Sequence, residues 1–147
     1  MNPPNDLPSL FGRFTAILGD HEHLSVTLRR LRRMCASLEA GQTSLAEELT
    51  PHALFAQLRT DLSKHFDAEE SPDYFGVVIS EAPALATQVA GLKWDHLAML
   101  RAVNALCELS LDATRWSQLP LGTRELIGRL ERHERSESEL LRGLFRA

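Results

Sequence analysis

Residues 64–70 read KHFDAEE and place a histidine and a glutamate four residues apart at the end of an otherwise apolar stripe. Phe55, Leu58 and Leu62 precede His65 and Glu69 at spacings of three and four, so all five share one helix face. A carboxylate on a dry face is costly unless a partner neutralises it. The pattern recurs along the chain. His133 and Glu137 repeat the offset inside the stripe Leu126, Leu130, His133, Glu137, Leu140, Leu144. His21 interrupts Phe14, Leu18, Leu24, Leu28, Leu31, Cys35 and Leu38, and His96 interrupts Leu85, Val89, Leu92, Met99, Val103 and Leu106. A lone histidine in such a stripe is usually a core residue satisfied by its neighbours. Four of them, one per stripe and two followed by glutamate one turn on, make a donor set. Neutral imidazoles and ionised carboxylates fit together around a cation, which supplies the charge they lack.

The candidate donors are His21, His65, Glu69, His96, His133 and Glu137. Six exceed the four that a structural zinc takes, and neither cysteine falls among them. Magnesium or calcium would call for an oxygen-rich site. Two metals, each with two histidines and both bridged by the two carboxylates, divide the set evenly. Imidazole with carboxylate suits iron, and also manganese or zinc. About four protein donors per metal leave positions for oxide, hydroxide, water or a small diatomic ligand. The other polar residues nearby serve as controls. His23 lies about 200° round the helix from His21 and reads as a surface residue. His52, at the start of its helix, does too, and Glu22, Glu70 and Glu139 fall off the stripes and read as solvated. The run Arg29-Arg30-Leu31-Arg32-Arg33 keeps Leu31 on the stripe and reads as a solvated basic face.

Four long segments must position these donors. The first covers residues 9–40 and ends at Gly41, after which Ser44 and Glu47 have the spacing of a capping box. Thr50-Pro51 suits the N-cap and first position of the second, which Ser71-Pro72 should end. The third starts near Pro83 and runs out near Leu111; the fourth follows Leu119-Pro120-Leu121-Gly122. Between the second and third, residues 74–79 (YFGVVI) form the one β-like patch. The expectation is an all-α, antiparallel up-down-up-down four-helix bundle over residues 9–147, with residues 1–8 as an N-terminal arm.

Composition agrees with one domain that has a core. The 147 residues are 44% hydrophobic and 24% charged. A net charge of -4 gives no reason to expect nucleic acid, and no apolar run approaches the ~18 residues that span a membrane. The first ten residues, MNPPNDLPSL, lack the basic and apolar regions of a secretory signal. Cys35 and Cys107 read as buried free thiols, which places the protein in the cytoplasm. Hydrolytic motifs are missing: there is no His-Glu-x-x-His, phosphate loop or Gly-x-Ser-x-Gly elbow.

The chain from about Phe11 to Leu144 resembles the hemerythrin-like (HHE cation-binding) domain family, of the bacterial single-domain type. The resemblance rests on Asp20-His21-x-x-Leu24, His65-Phe66-x-x-Glu69-Glu70, Trp94-Asp95-His96 and His133-x-x-x-Glu137. It implies a four-helix bundle around two non-haem iron ions, bridged by carboxylate and by oxide or hydroxide, with zinc or manganese as substitutes. His21, His65, His96 and His133 would be terminal ligands, and Glu69 and Glu137 the bridges. The chain departs from the oxygen-carrying invertebrate members, which have a further histidine where Leu92 stands and an aspartate where Ser138 stands. It is closer to bacterial di-iron proteins of iron-centre repair and nitric oxide response, and to the iron- and oxygen-sensing domain of a eukaryotic F-box protein. A ferritin-like relative would need glutamate three residues before a histidine, and none of the six histidines has it. The implied function is to bind or react with O2, NO or peroxide, in sensing, detoxification or iron handling, as a monomer or homodimer with a redox partner still to be identified. The competing expectation is a metal-stabilised helical interaction module without redox activity.

Overall fold

The computed structural model describes residues 6–42 and 44–146, with side chains described from residue 21 onward. The described chain is all-helical. Its α-helices are α1 (Asp6–Glu39), α2 (Pro51–Glu69), α3 (Phe75–Glu81), α4 (Ala86–Ser110) and α5 (Leu119–Arg146). Short 3₁₀ segments at Glu47–Leu49, Pro83–Leu85 and Ala113–Gln118 join them. No helix among the described residues is long and apolar enough to cross a membrane.

Helix ends follow local chemistry, with several departures from the sequence reading. α1 begins at Asp6, inside the span assigned to an arm; Pro8 is tolerated there because first-turn N–H groups have no helical acceptor. Gly41, at φ 78°, turns the chain out of α1, and its N–H donates to the Leu38 carbonyl. Ser44 and Glu47 make no capping box, since the 3₁₀ turn is flanked by Ala46 without a side-chain cap. Thr50 does occupy the N-cap of α2 ahead of Pro51, but its hydroxyl donates backward to the Glu47 carbonyl at 2.9 Å. The largest departure is the YFGVVI patch, where Tyr74 is the N-cap and residues 75–79 belong to the helix α3. No strand exists among the described residues to pair with it. As a helix it satisfies its own backbone and buries Phe75 and Val78 on one face.

The four long helices pack in a closed circuit: α1 on α2, α2 on α4, α4 on α5 and α5 on α1. Two apolar clusters fill the interior. One combines Leu24 to Cys35 of α1, Leu54 to Phe66 of α2, Met99 to Cys107 of α4 and Leu119 to Leu130 of α5. The other gathers Tyr74, Phe75 and Val78 with Val89, Leu92, Leu140, Leu141 and Leu144. Each fully buried leucine in these clusters contributes roughly 1.5–3 kcal/mol. On the surface, Arg124 donates to Glu39 and Arg32 pairs with Glu131, both linking α1 to α5. Exposed pairs of this kind add little stability. Cys35 and Cys107 are buried and unbridged, and burial raises both thiols above the ordinary range.

Candidate metal centre

The polar layer lies where the two apolar clusters meet. Along α4, Leu92 belongs to one cluster, His96 follows, and Met99 belongs to the other. Along α5 the order is Leu130, His133, Glu137, Leu140. Helical periodicity turns these polar residues inward with their apolar neighbours, so the same stripe that builds the core buries the donors. His65, Glu69, His96, His133 and Glu137 are all buried. His21 is the exception, with 22% of its side chain exposed.

All six sequence-predicted residues converge, in two groups that share Glu69. His21, His65, Glu69 and Glu137 form the first, and Glu69, His96 and His133 the second. Within each group the donor atoms lie within 4.8 Å of one another. The Nε2 atoms of His21 and His65 are 3.1 Å apart, and so are those of His96 and His133. Glu69 spans the two groups: Oε1 is 2.5 Å from His65 Nε2, and Oε2 is 3.0 Å from His96 Nε2 and 3.8 Å from His133 Nε2. Glu137 Oε2 stands 4.0 Å from His21 Nε2 and belongs to the first group alone. Sequence treats Glu69 and Glu137 alike; the geometry separates them.

The electrostatics of the two carboxylates are opposed. Burial acts to raise the Glu69 carboxyl, but hydrogen bonds from His133, His65 and His96 outweigh it and hold the group well below the ordinary carboxylate range. Burial and then the neighbouring Glu69 charge push Glu137 up to about 9. Two carboxylates this close in a dry interior therefore keep one proton between them, unless a cation removes the repulsion.

Three observations bear on whether a metal fits. Glu69 Oε1, 2.5 Å from His65 Nε2, and Glu137 Oε2, 4.0 Å from His21 Nε2, are buried carboxylate oxygens that both aim into the first group. Pairs of imidazole nitrogens at 3.1 Å cannot both present lone pairs to each other without a proton or cation between them. Third, the donor set is imidazole and carboxylate throughout, with no cysteine in either group among the described residues. The residues fit a metal ion, and the clusters can hold one.

Several contributors were not legible in the sequence. Glu70, read as solvated, is exposed, yet its Oε2 accepts from His96 Nδ1 at 3.0 Å. Asp95 Oδ2 lies 3.4 Å from His133 Nδ1. Phe66 stacks on His96 with ring centroids 3.9 Å apart and planes at 8°, and Phe75 lies parallel to the same ring at 6.0 Å. The fully buried Tyr74 donates its hydroxyl proton to Glu137 Oε1 at 3.0 Å. Burial and the Glu137 charge raise the phenol far above its ordinary value, which keeps it a donor. In metal-free protein, Tyr74→Phe leaves that carboxylate oxygen without its donor, at a cost of about 1–3 kcal/mol. The expected fall in Tm is about 2–4 °C per kcal/mol, read by scanning calorimetry; an unchanged Tm would show that the bond contributes nothing.

Apart from Glu70, the control residues behave as read. His23 and His52 are exposed, His23 pairing with Asp61 at 3.2 Å, and Glu22, Glu139 and the arginines from 29 to 33 are exposed as well. A cleft of about 380 Å³ opens on the first group, its described lining including His21, Glu134, Arg135 and Glu137. No protein-family model, curated protein or solved structure matches the chain.

Proposed function

We propose that the chain is a hemerythrin-like, antiparallel four-helix bundle that holds two non-haem iron ions and binds or reacts with O2, NO or peroxide. The observation that supports this most directly is the sharing of buried Glu69 between two histidine-containing groups. One carboxylate with an oxygen toward each group is the arrangement a bridged pair of metals needs. His21, His65 and Glu137 would complete the first site, and His96 and His133 the second. Zinc or manganese suits the same donors, so metal supply decides occupancy as much as affinity does.

Iron held there would supply one-electron chemistry and an open coordination position for a small ligand. The protein contributes the rest. Apolar clusters on both sides exclude water, which strengthens every interaction between the carboxylates and a cation. Tyr74 fixes one oxygen of Glu137 and leaves the other facing the first group. The cleft beside His21 and Glu137 gives a diatomic or peroxide a route to that group. A role in sensing, detoxification or iron-centre repair in the cytoplasm follows from this reading.

Metal content by mass spectrometry, with absorption spectra of iron-reconstituted protein before and after air and nitric oxide, tests it. The expected result is two irons per chain with new near-ultraviolet bands after air and a further change with nitric oxide. Bound metal with a spectrum indifferent to both gases would overturn the redox reading and leave a metal-stabilised helical module. No bound metal would overturn both.

A further inference from the structure

Both nitrogens of the His96 ring face a carboxylate from the end of α2. Nε2 lies 3.0 Å from Glu69 Oε2, inside the second group, and Nδ1 lies 3.0 Å from Glu70 Oε2, on the solvent side. His133 repeats the arrangement one helix on. Its Nε2 turns to His96 and Glu69, while its Nδ1 faces Asp95 Oδ2 at 3.4 Å. We infer that Glu70 and Asp95 are positioning residues for the second metal, each accepting the Nδ1 proton of an imidazole on the next helix so that Nε2 is left to the metal.

Helix geometry makes the arrangement directional. Glu70 is the C-cap of α2, with its backbone still helical at φ -78° and ψ -2°, so its side chain leaves the helix end toward α4. Asp95 immediately precedes His96 on α4 and reaches α5. Carboxylate and imidazole thus alternate across three packed helices. Glu70 and Asp95 retain 37% and 42% side-chain exposure, against 1% and 3% for the rings they contact. Neither carboxylate needs the cation for burial, unlike Glu69. Phe66, stacked on His96, holds the ring plane, and turning the ring over would forfeit the Nδ1 hydrogen bond to Glu70 and point Nε2 away from the second group. A carboxylate on Nδ1 fixes the tautomer and makes Nε2 a more basic ligand.

The inference rests on the metal-binding reading, so the experiment has one arm without metal. Nitrogen-15 histidine spectra of metal-free protein should show hydrogen-bonded Nδ1 protons on His96 and His133. Glu70→Ala should remove that signature from His96 alone, and Asp95→Ala from His133 alone. In the second arm, zinc titration should show one of two sites weakened by about 10–100-fold in either variant, the other site being unchanged. Glu70→Gln keeps an amide oxygen as acceptor and should recover most of the affinity. The inference is overturned if the wild-type rings lack the Nδ1 protons, or if both alanine variants bind zinc as tightly as wild type. Nδ1 protons as described, with no zinc bound by wild type, would sink the metal reading alone and leave Glu70 and Asp95 as orienting groups.

Discussion

Glu69→Ala is expected to lower the metal content of the reconstituted protein from two ions per chain to less than one, whereas Glu137→Ala lowers it to about one. Glu69 faces both groups, with Oε1 toward His65 and Oε2 toward His96, so its loss removes a donor from each site. Glu137 belongs to one group, and its loss leaves Glu69, His96 and His133 intact. The charge matters as much as the contact. Glu69→Gln keeps an oxygen but loses the negative charge that a dry site needs to hold a dication, and should fail to restore the metal. Both glutamates follow a histidine by four residues, so a sequence pattern alone predicts equal effects for the two alanine variants. Metal analysis separates the cases: equal losses would defeat the shared-bridge geometry, and two ions with a wild-type spectrum in Glu69→Ala would defeat the site. Circular dichroism of the metal-free variants keeps the result independent of folding.

The convergence of the six residues was legible because burial in helices follows a period that one sequence displays. His21, His65, His96 and His133 sit at core positions among leucines, and the structure brings them together. Glu70 and Asp95 were illegible for the complementary reason. Both lie one residue from a stripe position, about 100° round the helix, where a charged residue normally meets water. They reach His96 and His133 only because of how α2, α4 and α5 are rotated against each other, and no single helix encodes that rotation. Tyr74 failed differently. Val77, Val78 and Ile79 favour strand locally, yet strand propensity needs a neighbour to pair with, and this short segment is flanked by helices. Tertiary packing of Phe75 and Val78 into the second apolar cluster prevails. The Ser44 and Glu47 spacing matched a cap that the chain does not form, because the turn there is 3₁₀ and begins later. Phe14 and Leu18, on the first stripe, lie outside the residues whose side chains are described.

Metal removal should change stability more than any surface substitution. Without a cation the first group keeps Glu69 and Glu137 in contact in a dry layer, with a proton held between them, and imidazole nitrogens face each other at 3.1 Å in both groups. A ligand that binds the folded state alone, present at 100 to 1,000 times its Kd, stabilises by about 2.7–4.1 kcal/mol. For a domain of this size each kcal/mol moves Tm by about 2–4 °C, so a chelator should lower Tm by roughly 5–15 °C. The shift should depend on free metal concentration, which separates linkage from nonspecific effects of the chelator. Glu69→Ala supplies the internal control. If both sites need that carboxylate, its Tm is indifferent to chelator and close to that of the metal-free wild type. A wild-type Tm that ignores the chelator would mean that the buried histidines and glutamates satisfy one another, and the bundle would then be a plain helical domain. A large shift shared by wild type and Glu69→Ala would locate the metal elsewhere in the chain.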